Sequence, residues 1–571
     1  MQMTDINQRL TLLCIALFQG LALLVLHQSI EQSFWPSYNL PWLFGLYSFT
    51  LVTPTILLLA LNNKANGTLY AFAMLAGSVA LLLGYYTGTQ ASPFQPQDSY
   101  GELIPVLVGT IAIATFKGLM YIQHFTVPGR GEEPTYSRLF KLSWRNFLTF
   151  GAALVFMLCF WGILKLWGAL FDAIDITFFE TLFEQPHFYY PILSLANGVG
   201  IVIFRQQSGI IDTLTRIQQA LMKFLLVVLI FVSIIFLLSL PFTGLTPLWE
   251  SGGSLLILWM QAILLFFTNA VYQDDPTQRP YPMAIHRFIY IGLALLPIYS
   301  IISAYGLYVR IEQYGWSVDR CWAWLLWSLL TLFSCGYSWS IVSKRDNWLY
   351  RLNWINIRMG VVVLGSMLLV NTPILDFRKI SAHSQINLLS HDDLVLEEVD
   401  FYYLRYNLAK PGYDALNALK AKHPDNLKLT IKIDALLTER GKAAAVEQDT
   451  LIATINVLNG ELPESLEKPI YDMMVNNVWL FRQLSATYLQ PIDLNKDQQT
   501  DYLLITEQEG NRIQIYLFYF ADDQWKHSSF GRHEGLSKSQ IIDDIRHNKM
   551  EVKPPVWNIL KIGDHELQLR Q

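Results

Sequence analysis

Residues 221–240 read LMKFLLVVLIFVSIIFLLSL, and Lys223 is the only charged residue among these twenty. An α-helix rises about 1.5 Å per residue, so twenty residues are long enough to cross the roughly 30 Å hydrocarbon core of a bilayer. A stretch this long and this apolar predicts a transmembrane helix. It is the clearest of several such stretches, and they decide the fold.

Ten further runs of similar composition lie in the first two thirds of the chain. Together they predict a mainly α-helical, polytopic membrane domain over residues 1–377, with about eleven transmembrane helices. The predicted spans cover residues 9–29, 41–61, 69–88, 103–122, 147–170, 189–204, 221–240, 254–272, 286–308, 321–341 and 359–374.

The cations of residues 1–377 are sorted between the loops. Of 19 Lys and Arg, 15 lie in every second gap between the predicted spans, whereas the other gaps contain only Arg310 and Arg320. Lys and Arg near span ends are retained on the cytoplasmic side of a membrane. The sorting therefore predicts a cytoplasmic N-terminus in a bacterial inner membrane and, after eleven spans, a periplasmic C-terminal domain. The fifteen cations are Arg9, Lys64, Arg130, Arg138, Lys141, Arg145, Arg205, Arg216, Lys223, Arg279, Arg287, Lys344, Arg345, Arg351 and Arg358.

Residues 378–571 have the composition of a soluble domain. Charged residues number 37 among the first 377 residues and 50 among the remaining 194. Alternating apolar residues between turn signals predict a meander of strands over residues 501–530. Amphipathic segments predict helices over residues 396–408, 411–423, 469–486 and 537–550. The result is a soluble α+β domain, which at about 190 residues is long enough to bury its own core.

Several classes of function lack support in the sequence. The net charge is −5 and no basic face is clustered, so we expect no nucleic-acid partner. All four cysteines lie in apolar runs, so the soluble half has neither a disulfide framework nor a zinc motif. Walker-loop and HExxH motifs are absent as well. The expected partners are membrane lipid and a periplasmic or envelope protein.

A short segment before the predicted meander has the spacing of a calcium loop. Oxygen-bearing side chains occupy its first, third, fifth and ninth positions, as a hard cation requires. Such loops have glycine at position six and a glutamate at position twelve, where this chain has Gln498 and Leu504. The alternative is a plain Asp- and Asn-rich turn that leads into a strand. The candidate calcium ligands are Asp493, Asn495, Asp497 and Asp501.

The centre of the sixth predicted span carries a polar residue. Asn197 is followed by Gly198 and Gly200, and this pattern has two interpretations. The segment could line a cavity for a ligand, or the small residues could let neighbouring helices pack closely. Polar groups inside a membrane are functional candidates by default, so Asn197 is a candidate ligand-binding residue.

One segment at the end of the ninth predicted span resembles a known family. Residues 307–325 read LYVRIEQYGWSVDRCWAWL, which is similar to a recurring segment of bacterial polytopic membrane proteins grouped as domain of unknown function 4153. The resemblance implies a bacterial inner-membrane location and no established activity. Arg310 and Arg320 lie against the charge rule, and Tyr314 lies between them. They are predicted to contact a lipid-headgroup phosphate or a carboxylate such as Glu312; anchoring at the membrane interface is the alternative. The segment's recurring residues are Arg310, Tyr314, Gly315, Ser317 and Arg320.

The sequence is compatible with three functions, and a different structural observation would favour each. The first is a non-enzymatic envelope protein whose periplasmic domain senses or binds a partner, which a closed helix bundle would favour. The second is a transporter or lipid-handling protein with a site between the sixth and ninth spans, which a lateral groove ending at Arg310 would favour. The third is a glycosyltransferase-like enzyme, which would need a metal held by the carboxylates of residues 172–184.

Overall fold

The structure is a computed structural model of the 571-residue chain. It describes residues 2–62, 67–91, 96–126, 136–206, 208–246, 253–272, 280–388, 400–424, 427–437, 448–476, 484–508, 512–530, 560–562 and 565–567, together with four single positions between 544 and 552. The chain divides into two compact units. The membrane unit comprises Met1–Asp400 and Tyr406–Gly412, and the C-terminal unit comprises Phe401–Arg405 and Tyr413–Gln571.

The membrane unit is helical. Its helices are α1 (Gln2–Glu31), α2 (Leu40–Ala60), α3 (Gly67–Thr89), α4 (Pro96–Phe125), α5 (Tyr136–Asp172), α6 (Phe178–Glu184), α7 (Pro186–Gln206), α8 (Ser208–Thr243), α9 (Ser254–Val271), α10 (Met283–Ala294), α11 (Leu296–Tyr314), α12 (Val318–Lys344), α13 (Leu349–Leu369) and α14 (Phe377–Leu388). A 3₁₀ turn over Arg345–Asn347 joins α12 to α13.

The predicted spans correspond to these helices. Within the described residues, ten helical segments are long and apolar enough to cross a membrane, and α9 is a shorter apolar helix. The ninth span consists of α10 and α11, which are separated at Leu295 just before Pro297. Proline lacks a backbone N–H and interrupts a helix. Each of the eleven predicted spans coincides with one of these segments, and the chain is a multi-pass membrane protein.

The helix ends meet on two faces of the membrane unit. On the N-terminal face, where α1 begins, Gln8 donates a hydrogen bond to the carbonyl of Leu61 at 3.0 Å. On the opposite face, the Tyr86 hydroxyl donates to the carboxylate of Asp376 at 2.9 Å. Each pair joins ends that eleven alternating crossings place on the same side. Two further pairs of this kind are Gln123–Asn146 on the N-terminal face and Lys165–Glu184 on the opposite face.

Helices α2 and α3 pack backbone to backbone because α3 has glycine where they touch. A Cβ added at Gly84 would lie 2.5 Å from the carbonyl oxygen of Phe44, and one at Gly88 would lie 2.6 Å from that of Leu40. No side chain fits at these distances. Small residues allow this close approach in a membrane, where helix association depends on van der Waals contact rather than on release of water.

A buried amide links three helices in the second half of the bundle. Gln261 of α9 is fully buried, and its Nε2 donates to the hydroxyl of Ser300 at 2.7 Å and to that of Ser334 at 2.6 Å. Ser300 belongs to α11 and Ser334 to α12. In hydrocarbon no water can serve as a partner, so the bundle provides these partners itself.

The C-terminal unit combines helices with a five-stranded sheet of order β1-β2-β3-β4-β5. Only the β1–β2 pair is parallel, and the others are antiparallel. The helices described in this part of the chain are α15 (Phe401–Asn407), α16 (Ala409–Lys422), α17 (Leu427–Leu437), α18 (Gln448–Ile452) and α19 (Glu464–Asn476), and the end of α15 and the start of α16 belong to the membrane unit. The strands are β1 (Ile455–Val457), β2 (Leu484–Ile492), β3 (Asp501–Gln508), β4 (Arg512–Ala521) and β5 (Gln524–Ser529), with a separate pair, β6 (Leu560–Ile562) and β7 (His565–Leu567).

Strands β3 to β5 form the predicted meander, and the predicted α+β class is confirmed. Ile470 and Met474 of α19 pack against Leu504 and Phe518 on one face of the sheet. The helix predicted over residues 469–486 is wrong at its end, because β2 begins at Leu484. Strand β2 pairs with β3 through eight residue pairs, and this long-range pairing overrides the local amphipathic pattern. The helix predicted over residues 537–550 lies almost wholly outside the described residues.

Candidate functional site

A lateral groove opens on the membrane unit between α2, α3, α4 and α13. Its volume is about 400 Å³. The described residues lining it are almost all apolar, and only Thr115 and Tyr121 among them carry a polar side chain. The Tyr121 hydroxyl donates to the carbonyl of Ile357 at 2.8 Å, so this polar group already has a partner. The groove therefore presents an apolar surface without a charged group, at the depth of the spans.

Two glycines explain why the groove exists. A Cβ at Gly360 of α13 would lie 2.4 Å from the Tyr121 hydroxyl oxygen, so α13 and α4 touch there. A Cβ at Gly118 of α4 would meet nothing within 4 Å, because this glycine faces the open groove. On α3, the face that lines the groove carries larger side chains, among them Leu75 and Val79. Helix α3 thus packs closely against α2 on one face and lines the open groove on another.

The segment that resembles the family forms a tight turn on the opposite face. Gly315 ends α11 with φ of 67°, a left-handed conformation that favours glycine. The hydroxyl of Ser317 then accepts the N–H of Arg320 at 3.3 Å and caps the start of α12. The guanidinium of Arg320 donates to the carbonyls of Tyr314 at 3.0 Å and Gly315 at 2.6 Å. Arg320 therefore stabilises the carboxyl end of α11.

Helix α14 covers this turn, and the sequence had not suggested its contribution. Ser381 donates to the carbonyl of Trp316 at 3.1 Å, and the N–H of Trp316 donates to the hydroxyl of Ser384 at 2.9 Å. Gln385 donates to the carbonyls of Tyr314 and Trp316, both at 3.1 Å. These residues lie more than sixty positions after the turn, and no local motif marks them.

Arg310 lies one turn before the end of α11 and is exposed. Its guanidinium carbon is 6.0 Å from the centre of the Tyr314 ring, and that of Arg320 is 5.4 Å from the same ring. The three predicted residues are thus brought together around one aromatic ring. Their contact with a lipid headgroup or with Glu312 stays a prediction.

Asn197 lies on α7 and is not among the described residues that line the lateral groove. Its neighbours serve close packing, since a Cβ at Gly198 would lie 2.4 Å from the Cβ of Ala16. A Cβ at Gly200 would lie 3.0 Å from the Cα of Ala153. Within the described part of the chain, the buried side-chain oxygen of Asn197 has no hydrogen-bond partner.

A buried ion pair at the end of the last span was not anticipated. Asp376 and Arg378 are 2% and 8% exposed, and the Nε of Arg378 lies 3.3 Å from the Asp376 carboxylate. The other carboxylate oxygen accepts the Tyr86 hydroxyl of α3. This pair fixes the start of α14 to the end of α3. The sequence places both residues at a span end and gives no signal of their burial.

The predicted calcium ligands form a loop with its own hydrogen bonds. Asp493 accepts the N–H of Gln498 at 3.1 Å, and Asp501 accepts the N–H of Leu494 at 3.2 Å. Gln498 has φ of 69°, so the sixth position adopts the conformation for which calcium loops use glycine. Burial raises the pKa of Asp501, and the nearby carboxylates of Asp497 and Asp493 raise it further, while the Leu494 N–H lowers it.

Metal binding by this loop stays a prediction. In the described ranges, no group of three or more His, Cys, Asp or Glu side chains is arranged to hold a metal ion. The side chain of Asn495 donates to Asp497 at 2.7 Å, so part of the oxygen set is bonded within the loop. In the acidic segment of residues 172–184, Glu184 pairs with Lys165 at 2.8 Å.

The family described as "Domain of unknown function (DUF4153)" matches residues 12–420. The match covers well over half of the chain, and the protein belongs to this family. It includes every residue of the lateral groove and of the turn at Gly315. No curated protein and no solved structure compared with the chain is significantly similar to it.

Proposed function

We propose that this protein is a non-enzymatic lipid-binding protein of the bacterial inner membrane, and that the lateral groove holds an acyl chain. The observation that carries the proposal is the groove of about 400 Å³ with an almost wholly apolar lining. Its size lies within the range of small-molecule binding sites, which is about 300–1,000 Å³.

The chemistry of the groove favours an acyl chain over other ligands. An ion or a sugar needs polar partners when it leaves water, and the groove offers only Thr115 and the already bonded Tyr121 hydroxyl. An acyl chain needs none, and it is present at high concentration beside the spans. The groove is formed by the second, third, fourth and eleventh spans, whereas the sequence suggested a lipid site between the sixth and ninth.

The orientation of the protein rests on the charge sorting and on the grouping of helix ends. Arg145 and Arg205 lie on the N-terminal face, where the Arg145 guanidinium donates to the carbonyl of Arg205. We assign this face to the cytoplasm, because it contains the loops rich in Lys and Arg. The opposite face is then periplasmic, and so is the C-terminal unit. Binding of an envelope protein by that unit stays a prediction from the sequence.

The proposal is tested by a substitution that fills the groove with a side chain. Gly118→Trp places an indole in the groove, whereas Gly109→Trp adds the same group on the same helix at another glycine with no atom within 4 Å. Both full-length variants are purified in mild detergent and stripped of loosely bound lipid, and the retained lipid is measured by native mass spectrometry. We expect the wild-type protein and Gly109→Trp to retain lipid and Gly118→Trp to lose it.

Two outcomes would contradict the proposal. Equal retention by both variants would show that the lipid binds elsewhere. Loss from both would show that any exposed tryptophan disturbs ordinary boundary lipid. Size-exclusion chromatography and the melting temperature of each variant confirm that the fold is intact before lipid is counted.

A further inference from the structure

A second cavity, which we call the basic pocket, lies on the N-terminal face between α1, α5 and α7. Its volume is about 360 Å³. Its polar lining consists of Gln8, Arg9, Arg145, Arg205 and Gln206. Three of these five are arginines, and none of the described lining residues is acidic. The pocket thus concentrates positive charge in a concave site, although the chain as a whole has a net charge of −5.

Arg205 is held in place by the end of α2. Its two terminal nitrogens donate to the carbonyls of Leu58 at 2.7 Å and Leu61 at 2.5 Å. Gln8 also donates to the carbonyl of Leu61. The last carbonyls of a helix lack partners within the helix, and a cation near them is stabilising. These acceptors are neutral, so among the residues that the structure describes no carboxylate compensates the charge of Arg205 in the pocket.

The other two arginines are less committed to the protein. Arg145 is exposed and donates from one terminal nitrogen to the carbonyl of Arg205 at 3.3 Å. Arg9 is exposed, and it makes no hydrogen bond or ion pair within the part of the chain that the structure describes. As far as the described residues are concerned, donor groups of both side chains thus remain available at the pocket.

Three guanidinium groups around one cavity repel one another, and an anion between them removes that repulsion. Guanidinium groups match phosphate oxygens in planar, paired hydrogen bonds. Basic pockets between membrane helices on the cytoplasmic side bind anionic lipid headgroups. We propose that the basic pocket binds a phosphate group, provided either by the headgroup of an anionic phospholipid or by a soluble phosphate compound.

This site is separate from the lateral groove, with which it shares no lining residue. The inference goes beyond the proposed function, and the two fail independently. Gly118→Trp should abolish lipid retention in the groove and leave phosphate binding unchanged. The double variant Arg9→Gln with Arg145→Gln should weaken phosphate binding and leave lipid retention in the groove unchanged.

The experiment compares this double variant with Arg216→Gln in the full-length protein. Arg216 is an exposed cation of α8 that does not line the pocket. Arg205 is left intact because it supports α2. Binding of phosphatidylglycerol and phosphatidylcholine is titrated by native mass spectrometry, and inorganic phosphate is titrated by the rise in melting temperature.

The expected result is a loss specific to the anionic probe. Each arginine near an anionic membrane surface contributes about five-fold in affinity, so the double variant should bind phosphatidylglycerol about 25-fold more weakly. Arg216→Gln should bind it as the wild-type protein does. Phosphatidylcholine should bind equally to all three proteins, because their lateral grooves are identical.

The two sources of phosphate give different results. If inorganic phosphate raises the melting temperature of the wild-type protein but not of the double variant, the ligand is a soluble phosphate compound. If only phosphatidylglycerol distinguishes them, the ligand is a lipid headgroup. Equal affinity of the double variant and Arg216→Gln for both probes overturns the proposal. Should the double variant fail to fold, Arg9→Gln alone provides the same comparison, since Arg9 has no bond to the described chain.

Discussion

The membrane unit and the C-terminal unit satisfy their polar groups in opposite ways. In the membrane unit, the carbonyls at the end of α2 accept hydrogen bonds from Arg205, which lies more than 140 residues away in sequence. In the loop of residues 493–501, each polar partner lies within seven residues, as for Asp501 and Leu494. The loop is largely exposed, so water replaces any bond that breaks. Inside the hydrocarbon core no such replacement exists, so the buried amide of Gln261 depends on Ser300 and Ser334.

The two units differ in the same way in their tolerance of backbone conformation. Gly84 of α3 has a backbone oxygen 2.5 Å from where its Cβ would be, so only glycine fits. In the exposed loop, Gln498 occupies a left-handed conformation although it is not glycine. Close packing thus restricts side chains more strictly than an open turn does. Substitutions in the membrane unit should therefore have the larger effects.

The largest effect is expected at the contact between α2 and α3. Gly84→Leu forces a side chain against the backbone of Phe44, which cannot move without displacing α2. We expect a loss of about 3 kcal/mol in the free energy of unfolding. Gly109→Leu is the control, because nothing lies within 4 Å of that glycine, and it should change stability by less than about 1 kcal/mol. Unfolding in detergent, followed by circular dichroism, measures both, and similar values would contradict the close contact.

The next effect concerns the turn at Gly315. Arg320→Met retains the apolar stem of the side chain but removes the donors to the Tyr314 and Gly315 carbonyls. Hydrogen bonds from a charged group are worth more than neutral ones, and we expect a loss of about 2 kcal/mol.

Arg310→Met serves as the matched control for this turn. It removes a cation 6.0 Å from the Tyr314 ring and should cost less than about 1 kcal/mol. The melting temperatures of the two full-length variants show which substitution destabilises the protein more. A larger loss at Arg310 would mean that Arg310, rather than the hydrogen bonds of Arg320 to the Tyr314 and Gly315 carbonyls, stabilises the turn.

The smallest effect is expected in the C-terminal unit and depends on pH. Burial raises the pKa of Asp501 above its ordinary value, so the folded unit binds a proton more tightly than the unfolded chain. Stability from this carboxyl is fully present below the unfolded pKa and is lost as the pH rises through the folded pKa. Asp501→Asn retains an oxygen that can accept the Leu494 N–H but carries no charge.

The measurement for Asp501 is the melting temperature of wild-type and Asp501→Asn full-length protein as a function of pH. The two should agree at acidic pH, and Asp501→Asn should be the more stable at neutral pH. A wild-type protein that is more stable than the variant at neutral pH would show that the carboxylate has a favourable partner, such as a bound cation.

The spans were predictable because their signal is local and redundant. A run such as residues 221–240 must be buried in lipid whatever its neighbours are. The strands of residues 501–530 were predictable for the same reason, since their alternation is repeated three times. The start of β2 at Leu484 was not, because its pairing with β3 decides its structure. The cavities were not predictable either, since each collects residues from helices far apart in sequence.

The sequence by itself determined that this is a multi-pass membrane protein with an α+β unit at its C-terminal end, because hydrophobic run length and periodicity depend only on neighbouring residues. It also indicated Arg310 and Arg320 by their charge. Only the tertiary structure decided that Arg320 is bonded to the end of a helix, while Arg9, Arg145 and Arg205 surround a cavity. The physical reason is that a charge is visible in the sequence, but the partners that satisfy it are chosen by helix packing.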